Sequence, residues 1–165
     1  MWSMQICRHC FILKRTLSRQ QLQTTTRILP KALYYQPHCG LAGDMNLAAF
    51  LDLGVPESHL RAELARLPIQ SEYDIEVRSD AKMGISGTHV KVHAQDTDDH
   101  RHHATIVKMI KHARYPTGTE QRALAIFQAI AVAEGKIHNV PPERVHFHEV
   151  GAVDSIIDII GAAIA

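Results

Sequence analysis

From Val145 the chain reads Val-His146-Phe147-His148-Glu149-Val-Gly-Ala-Val-Asp154-Ser-Ile-Ile-Asp158. Two histidines alternate around an aromatic residue, a glutamate follows, and two aspartates stand four apart. Imidazole nitrogen and carboxylate oxygen are the donors that hold borderline cations such as zinc and nickel. If 145–148 is a strand, His146 and His148 share one face with Cα atoms about 6.6 Å apart, and Phe147 turns the other way, into the core. Glu149 can then supply an oxygen or orient a ring. Asp154 and Asp158 lie one helical turn apart on a common face. The plain alternatives are a solvent-facing strand with idle histidines and a solvated aspartate stripe, with Asp154 also favoured by the helix N-terminal dipole.

Two further groups could add to this chemistry. His100, His102 and His103 crowd the start of an expected helix. Its N-terminal dipole favours neutral, ligating rings, whereas Asp96, Asp98 and Asp99 favour protonated ones. The ordinary reading is a wet polar loop before a helix. Earlier, Gly40-Leu41-Ala42-Gly43-Asp44 has the strand–glycine–helix layout that can cradle a phosphate on backbone N–H groups. It lacks the Lys-Ser/Thr pair of a Walker loop and the third glycine of a dinucleotide fingerprint. Asp44 serving only as a helix N-cap needs no ligand.

The elements that must position these residues follow from periodicity. A strand is expected at 32–36, a helix at 45–53 capped by Asp44 and stopped by Gly54, and a second helix at 57–67 with Leu60, Leu64 and Leu67 inward. Alternation at 73–79 and again at 88–94 predicts two strands paired antiparallel. In the second, His89 and His93 share the solvent face. Helices are expected from about 103 to 113, with Ile106, Met109, Ile110 and Ala113 inward, and at 119–137. A short strand at 145–148 and a last helix from Ala152 complete the pattern. That helix buries Val153, Ile156, Ile157, Ile160 and Ile164. Its other side carries Gly161, Ala162 and Ala165, which implies close packing there by another subunit or another domain. Strands and helices mix without strict alternation. The fold class is therefore α+β, a small mixed or antiparallel sheet with several packed helices.

Composition narrows the function classes. Residues 1–35 hold six bases and no acid, which leaves 12 bases against 17 acids in the remainder. A body of that sign is not a nucleic-acid binder, since phosphate neutralisation needs clustered Lys and Arg. No long apolar run exists to span a membrane. Three cysteines form no disulfide framework, which points to a reducing, cytoplasmic setting. The lone Cys7-Arg8-His9-Cys10 has no second ligand pair to close a zinc site. Residues 1–31, basic and rich in Gln, Thr and Ser, are set aside as a disordered lead-in, leaving one domain at 32–165.

Taken in order, Gly40-Leu-Ala-Gly43-Asp44-Met45, Leu51-Asp-Leu-Gly54-Val-Pro56, Gly84-Ile-Ser-Gly87, His100-Arg-His102 and His146-Phe-His148-Glu149-Val-Gly151-Ala-Val-Asp154-Ser155 resemble the proteins that insert nickel into the pincer cofactor of lactate racemase. The resemblance covers about 32–165, and the last motif is its most specific part. It implies nickel placed into pyridinium-3,5-bisthiocarboxylic acid mononucleotide, a lyase-class metal insertion that consumes CTP with a divalent cation. It also implies that this chain is an N-terminal portion, with nucleotide binding in a further C-terminal part or partner chain. On that view His100, His102, His103, His146 and His148 are the candidate metal ligands. Glu149 and Asp154 are candidate acceptors of the proton lost as nickel bonds carbon. Gly40, Gly43 and Asp44 are the candidate cofactor contacts, although Cys39 stands where a small hydroxyl residue is expected. A homo-oligomer is compatible with all this. A nickel or zinc carrier without chemistry and a metal-dependent hydrolase remain as other readings.

Overall fold

The computed structural model describes residues 2–7, 10–15, 33–36, 40–82, 84–95, 101–147 and 150–165, with backbone alone for 2–7, 10–15 and Lys82. Its elements run β1 (Trp2–Cys7), β2 (Cys10–Arg15), β3 (Tyr35–Gln36), α1 (Gly43–Asp52), α2 (Glu57–Leu64), β4 (Tyr73–Lys82), β5 (Ile85–Ala94), α3 (His103–Ala113), α4 (Thr117–His138) and α5 (Val153–Ile164). The fold is α+β. β4 and β5 form an antiparallel hairpin in which Tyr73 pairs with Ala94 and Lys82 with Ile85. The first three strands form a separate antiparallel sheet in the order β1-β2-β3. Two of them fall within 1–31. The alternation of Trp2, Met4 and Ile6 with Ser3, Gln5 and Cys7 suits a strand and is visible in the sequence.

α5 is the centre of the core. Its Ile156, Ile157 and Ile160 are wholly buried, beside Leu47 of α1, Leu60 and Leu64 of α2, and Phe127 of α4. The inward residues expected for α3 and α5 are buried as the periodicity implied. α2 stops at Leu64, three residues sooner than expected, but the turn that follows still buries Leu67. Among the described residues no helix is long and apolar enough to cross a membrane.

Polar side chains tie the hairpin and the helix ends to this core. Arg61 donates to the Ile75 carbonyl at 2.6 Å and pairs with Glu57 at 2.7 Å, fastening α2 to β4. The Thr88 hydroxyl donates to Asp52 at 2.5 Å, joining β5 to the end of α1. Arg122 of α4 donates twice to the Ala163 carbonyl, at 2.8 and 3.2 Å, and so satisfies one of the orphan acceptors at the end of α5. The Tyr115 hydroxyl donates to the Glu63 carbonyl at 3.1 Å, and burial pushes its pKa up.

Three local expectations are corrected. α1 begins at Gly43 with Ala42 as N-cap, so Asp44 lies inside the first turn. Its Oδ1 accepts from the neighbouring Met45 N–H at 2.7 Å, and no side chain caps the helix. Of the expected 145–148 strand, the described residues 145–147 make one antiparallel bridge, His146 to His102, and burial of Val145 and Phe147 around exposed His146 keeps the alternation. What packs against the small residues of α5 is α1 of the same chain. A Cβ on Gly161 would lie 2.8 Å from the Leu47 Cδ2 atom. The hairpin histidines also divide: His93 is exposed and bonds Glu76 at 2.9 Å, while His89 is half-buried with Nδ1 unpartnered.

Candidate functional site

Two places in the fold bring the candidate residues together. The first is where the start of α3 meets the segment before α5. The His103 N–H donates to the Val145 carbonyl at 3.2 Å, and the Arg101 N–H to the Gly151 carbonyl at 3.3 Å. These bonds flank the His102–His146 bridge. Gly151 is required by space. A Cβ there would stand 2.8 Å from the Arg101 N and O atoms and the Phe147 O atom, all backbone that cannot yield. Arg101 also pairs with Glu72 at the foot of β4. The segment is thus clamped on both sides of the histidine pair.

His102 and His146 are both exposed, and their ring centres are 4.5 Å apart with planes inclined at 56°. An ion bound at about 2.0–2.1 Å from one nitrogen of each ring would sit roughly 3.2 Å from each ring centre. With centres 4.5 Å apart, two such ligands subtend about 90° at the ion, the angle of adjacent positions in square-planar or octahedral coordination. Two rings at this separation could share one ion. Among the described residues no group of three His, Cys, Asp or Glu side chains gathers as a metal site. His100, His148 and Glu149 lie outside the described residues.

His103 does not join this pair. It is 5% exposed, its ring meets Phe147 edge-on at 5.9 Å between centres, and its Nε2 is buried without a partner. Burial lowers its pKa, against a smaller opposing pull from Glu143, so the ring is held neutral. Adjacent histidines at a helix start thus split, His102 outward and His103 inward. Pairing His102 with His146 was not legible in the sequence, because the two belong to separate motifs and spacing carries no signal of their contact.

The second place is where α1 begins. Gly43 lies against Asp158 of α5 so closely that a Cβ on the glycine would overlap the carboxyl group, with Cβ and Cγ of Asp158 at 2.5 Å. Asp158 Oδ1 is buried without a hydrogen-bond partner. Burial, then the like charges of Asp44 and Asp154, push its pKa up to about 7. Asp154 itself is exposed, and its Oδ1 accepts from the Ser155 N–H at 2.7 Å. Gly40, with φ of 93°, turns the chain into α1. Gly43 and Asp44 are thereby brought beside Asp158, midway along α5. The sequence pointed to both aspartates but not to the burial of the second.

The nickel insertion protein family matches residues 33–165. The chain belongs to that family. It is 43% identical over 146 residues to the pyridinium-3,5-bisthiocarboxylic acid mononucleotide nickel insertion protein of Clostridium kluyveri, covering 81% of this chain and 37% of that one. It is 42% identical over 137 residues to the Staphylococcus epidermidis protein of the same name, covering 83% of this chain and 34% of that one. A Wolinella succinogenes protein named for nickel insertion is 47% identical over 136 residues, covering 81% and 34%. The chain thus spans about a third of the length of the curated relatives it matches. No solved structure matches it.

Proposed function

We propose that this chain supplies the nickel-receiving part of a nickel insertion protein. The substrate ion is held by the outward imidazoles of His102 and His146, with His100 and His148 completing the donor set. His103 is assigned to holding Phe147 and the bridge in place. The His102–His146 bridge carries this reading, because it brings two exposed imidazoles, donors that suit nickel, side by side. Nitrogen donors also suit delivery. Thiolates would hold nickel against an acceptor whose own ligands are sulfur, whereas imidazoles hold it loosely enough to give it up.

The acceptor on this reading is pyridinium-3,5-bisthiocarboxylic acid mononucleotide. Its two thiocarboxylates each form a nickel–sulfur bond, and a ring carbon exchanges its proton for nickel. That proton needs a carboxylate to receive it, and Glu149 or Asp154 is assigned to the step. Such a lyase-class insertion leaves the ring electron pair on the carbon–nickel bond and oxidises nothing. The turn Gly40–Asp44 is assigned to the mononucleotide phosphate. The uncapped start of α1 favours an anion. Asp44 opposes one, so a phosphate there needs a counter-cation. CTP with its divalent cation is assigned to the remaining two thirds of the relatives' length, and the setting is cytoplasmic.

Nickel titration by calorimetry tests the metal reading. The wild-type chain is expected to bind nickel and the His102→Ala/His146→Ala variant to lose most of that affinity, with the circular dichroism spectrum unchanged. Equal binding by both removes the reading. A chain that binds nickel yet supports no CTP-dependent metallation when joined to the rest of a relative's length would be a carrier instead. Replacing Asp154 with alanine should slow proton release without weakening nickel binding if Asp154 is the acceptor, and leave it unchanged if Glu149 is.

A further inference from the structure

The contact between Gly43 and Asp158 has a consequence for α1 that holds whether or not the Gly40–Asp44 turn receives a phosphate. A side-chain carboxyl is wedged against the first residue of a helix, in space that any Cβ would fill. One of its oxygens is shut away from water with no donor to satisfy it. Among the described residues no base acts on it. Of the charged groups on the elements packed against α5, Asp44 from α1 and Asp154 from the first turn of α5 itself act on Asp158, and both repel its ionised form. Asp52, at the other end of α1, is engaged by Thr88 of β5. Arg61 of α2 is spent on Glu57 and the Ile75 carbonyl, and Arg122 of α4 on the Ala163 carbonyl. His89 of β5 acts on Glu76.

We propose that Asp158 is a protonation latch: its neutral carboxyl lets the start of α1 close onto α5, and its ionisation loosens the Gly40–Asp44 turn. The neutral form needs no counter-charge in this pocket. The ionised form would bury an unsatisfied oxygen beside two other carboxylates, and the cheapest relief is for α1's first turn to move off and admit water. The direction of pH dependence follows from linkage. Unfolded, Asp158 releases its proton near the ordinary carboxylate value of 3.8, whereas folded it keeps it until about 7. The folded state thus binds the extra proton between these values, so the stability owed to this group falls as pH rises across that window and levels off above it.

The experiment uses the full chain. Carboxyl-carbon NMR of wild type should show Asp158 titrating near neutrality. Hydrogen exchange, corrected for the intrinsic base-catalysed rate, should show protection of the Asn46 amide, which bonds the Ala42 carbonyl at 3.0 Å, falling about tenfold between pH 6 and 8. The Asp158→Asn variant, neutral at every pH, should keep that protection level. A midpoint for Asp158 in the ordinary carboxylate range overturns the latch, and this measurement stands even should the variant fail to fold. Protection that stays level in wild type, or that falls equally in Asp158→Asn, overturns it as well.

Discussion

The start of α3 and the start of α1 both press against the segment containing α5, and they treat their polar side chains in opposite ways. At α3 the ladder-like bonds of Arg101 and His103 are satisfied by backbone, and the His102 and His146 rings are left outward. At α1 no side chain caps the helix, and the carboxyl of Asp158 is drawn inward against Gly43. Rings on a rigid mount facing water can exchange a ligand without disturbing the core. A half-buried carboxyl wedged between two helices cannot change its charge without disturbing something. The first arrangement suits a site that must load and unload an ion. The second suits a part whose position depends on its protonation.

The rigidity of the first region rests on Phe147, which is fully buried between His103 and Phe127, with ring centres at 5.9 and 6.3 Å. Phe147→Ala should therefore have the largest effect, a loss of about 3–5 kcal/mol in stability by urea titration. Nickel affinity should fall with it, because the bridge loses its inner support. Unchanged nickel affinity in a folded Phe147→Ala protein would show that the exposed pair needs no such mount. Next comes the His102→Ala/His146→Ala variant, expected to lose nickel affinity about a hundredfold, ~2.7 kcal/mol. Its stability should stay within about 0.5 kcal/mol of wild type, since both rings are exposed. A large stability loss would mean that the rings serve the core and would erase the contrast between the regions.

The second region is sharpened by comparing two glycines. Gly43→Ala places a methyl on the Asp158 carboxyl, a wedged group with its own Cβ at 2.5 Å, and should cost about 1–3 kcal/mol. Gly161→Ala meets the Leu47 Cδ2 atom at 2.8 Å, the far end of a leucine that can turn aside, and should cost less. Neither glycine has a positive φ, so neither test is confounded by left-handed backbone strain, and the helix-propensity gain of alanine is offset in the comparison. Equal costs would mean that α1 as a whole slides on α5, and that Asp158 is no special point of contact.

Much of this fold was legible because apolar spacing and burial obey the same geometry. The stripe of α5 and that of α3 were read residue by residue, and the β4–β5 pairing followed from two alternating runs. What failed was local chemistry that depends on a distant partner. Asp44 has the side chain of an N-cap, but the helix starts two residues earlier than expected, at Gly43, which lies flush against Asp158. Residues 145–147 of the expected strand alternate properly, yet among the described residues only His146 bridges, to His102, where α3 begins at once beyond. Histidine pairs were grouped by nearness in the chain, His146 with His148 and His102 with its neighbours. The contact that forms joins one member of each group. The small residues of α5 were rightly read as a close approach, but the partner proved to be α1.

The smallest expected effect bears most directly on the inward region. Asp44 and Asp154 both raise the pKa of Asp158, Asp44 the more strongly of the two. Replacing either with asparagine removes a like charge and so makes ionisation of Asp158 easier. The Asp158 midpoint should then fall below about 7 in both variants, further in Asp44→Asn than in Asp154→Asn. Asparagine keeps an oxygen for the Met45 or Ser155 N–H, so the helix starts are preserved and the charge is the only change. Above neutral pH each variant should be slightly more stable than wild type, because an ionised Asp158 is repelled less. Near pH 4, where Asp158 is neutral in the folded state, that advantage should be absent. A midpoint that stays in place in both variants would leave burial as the whole cause, and would make Asp158 indifferent to the turn it touches. A larger shift from Asp154 than from Asp44 would place the carboxyl nearer its own helix than α1, against the overlap that Gly43 records.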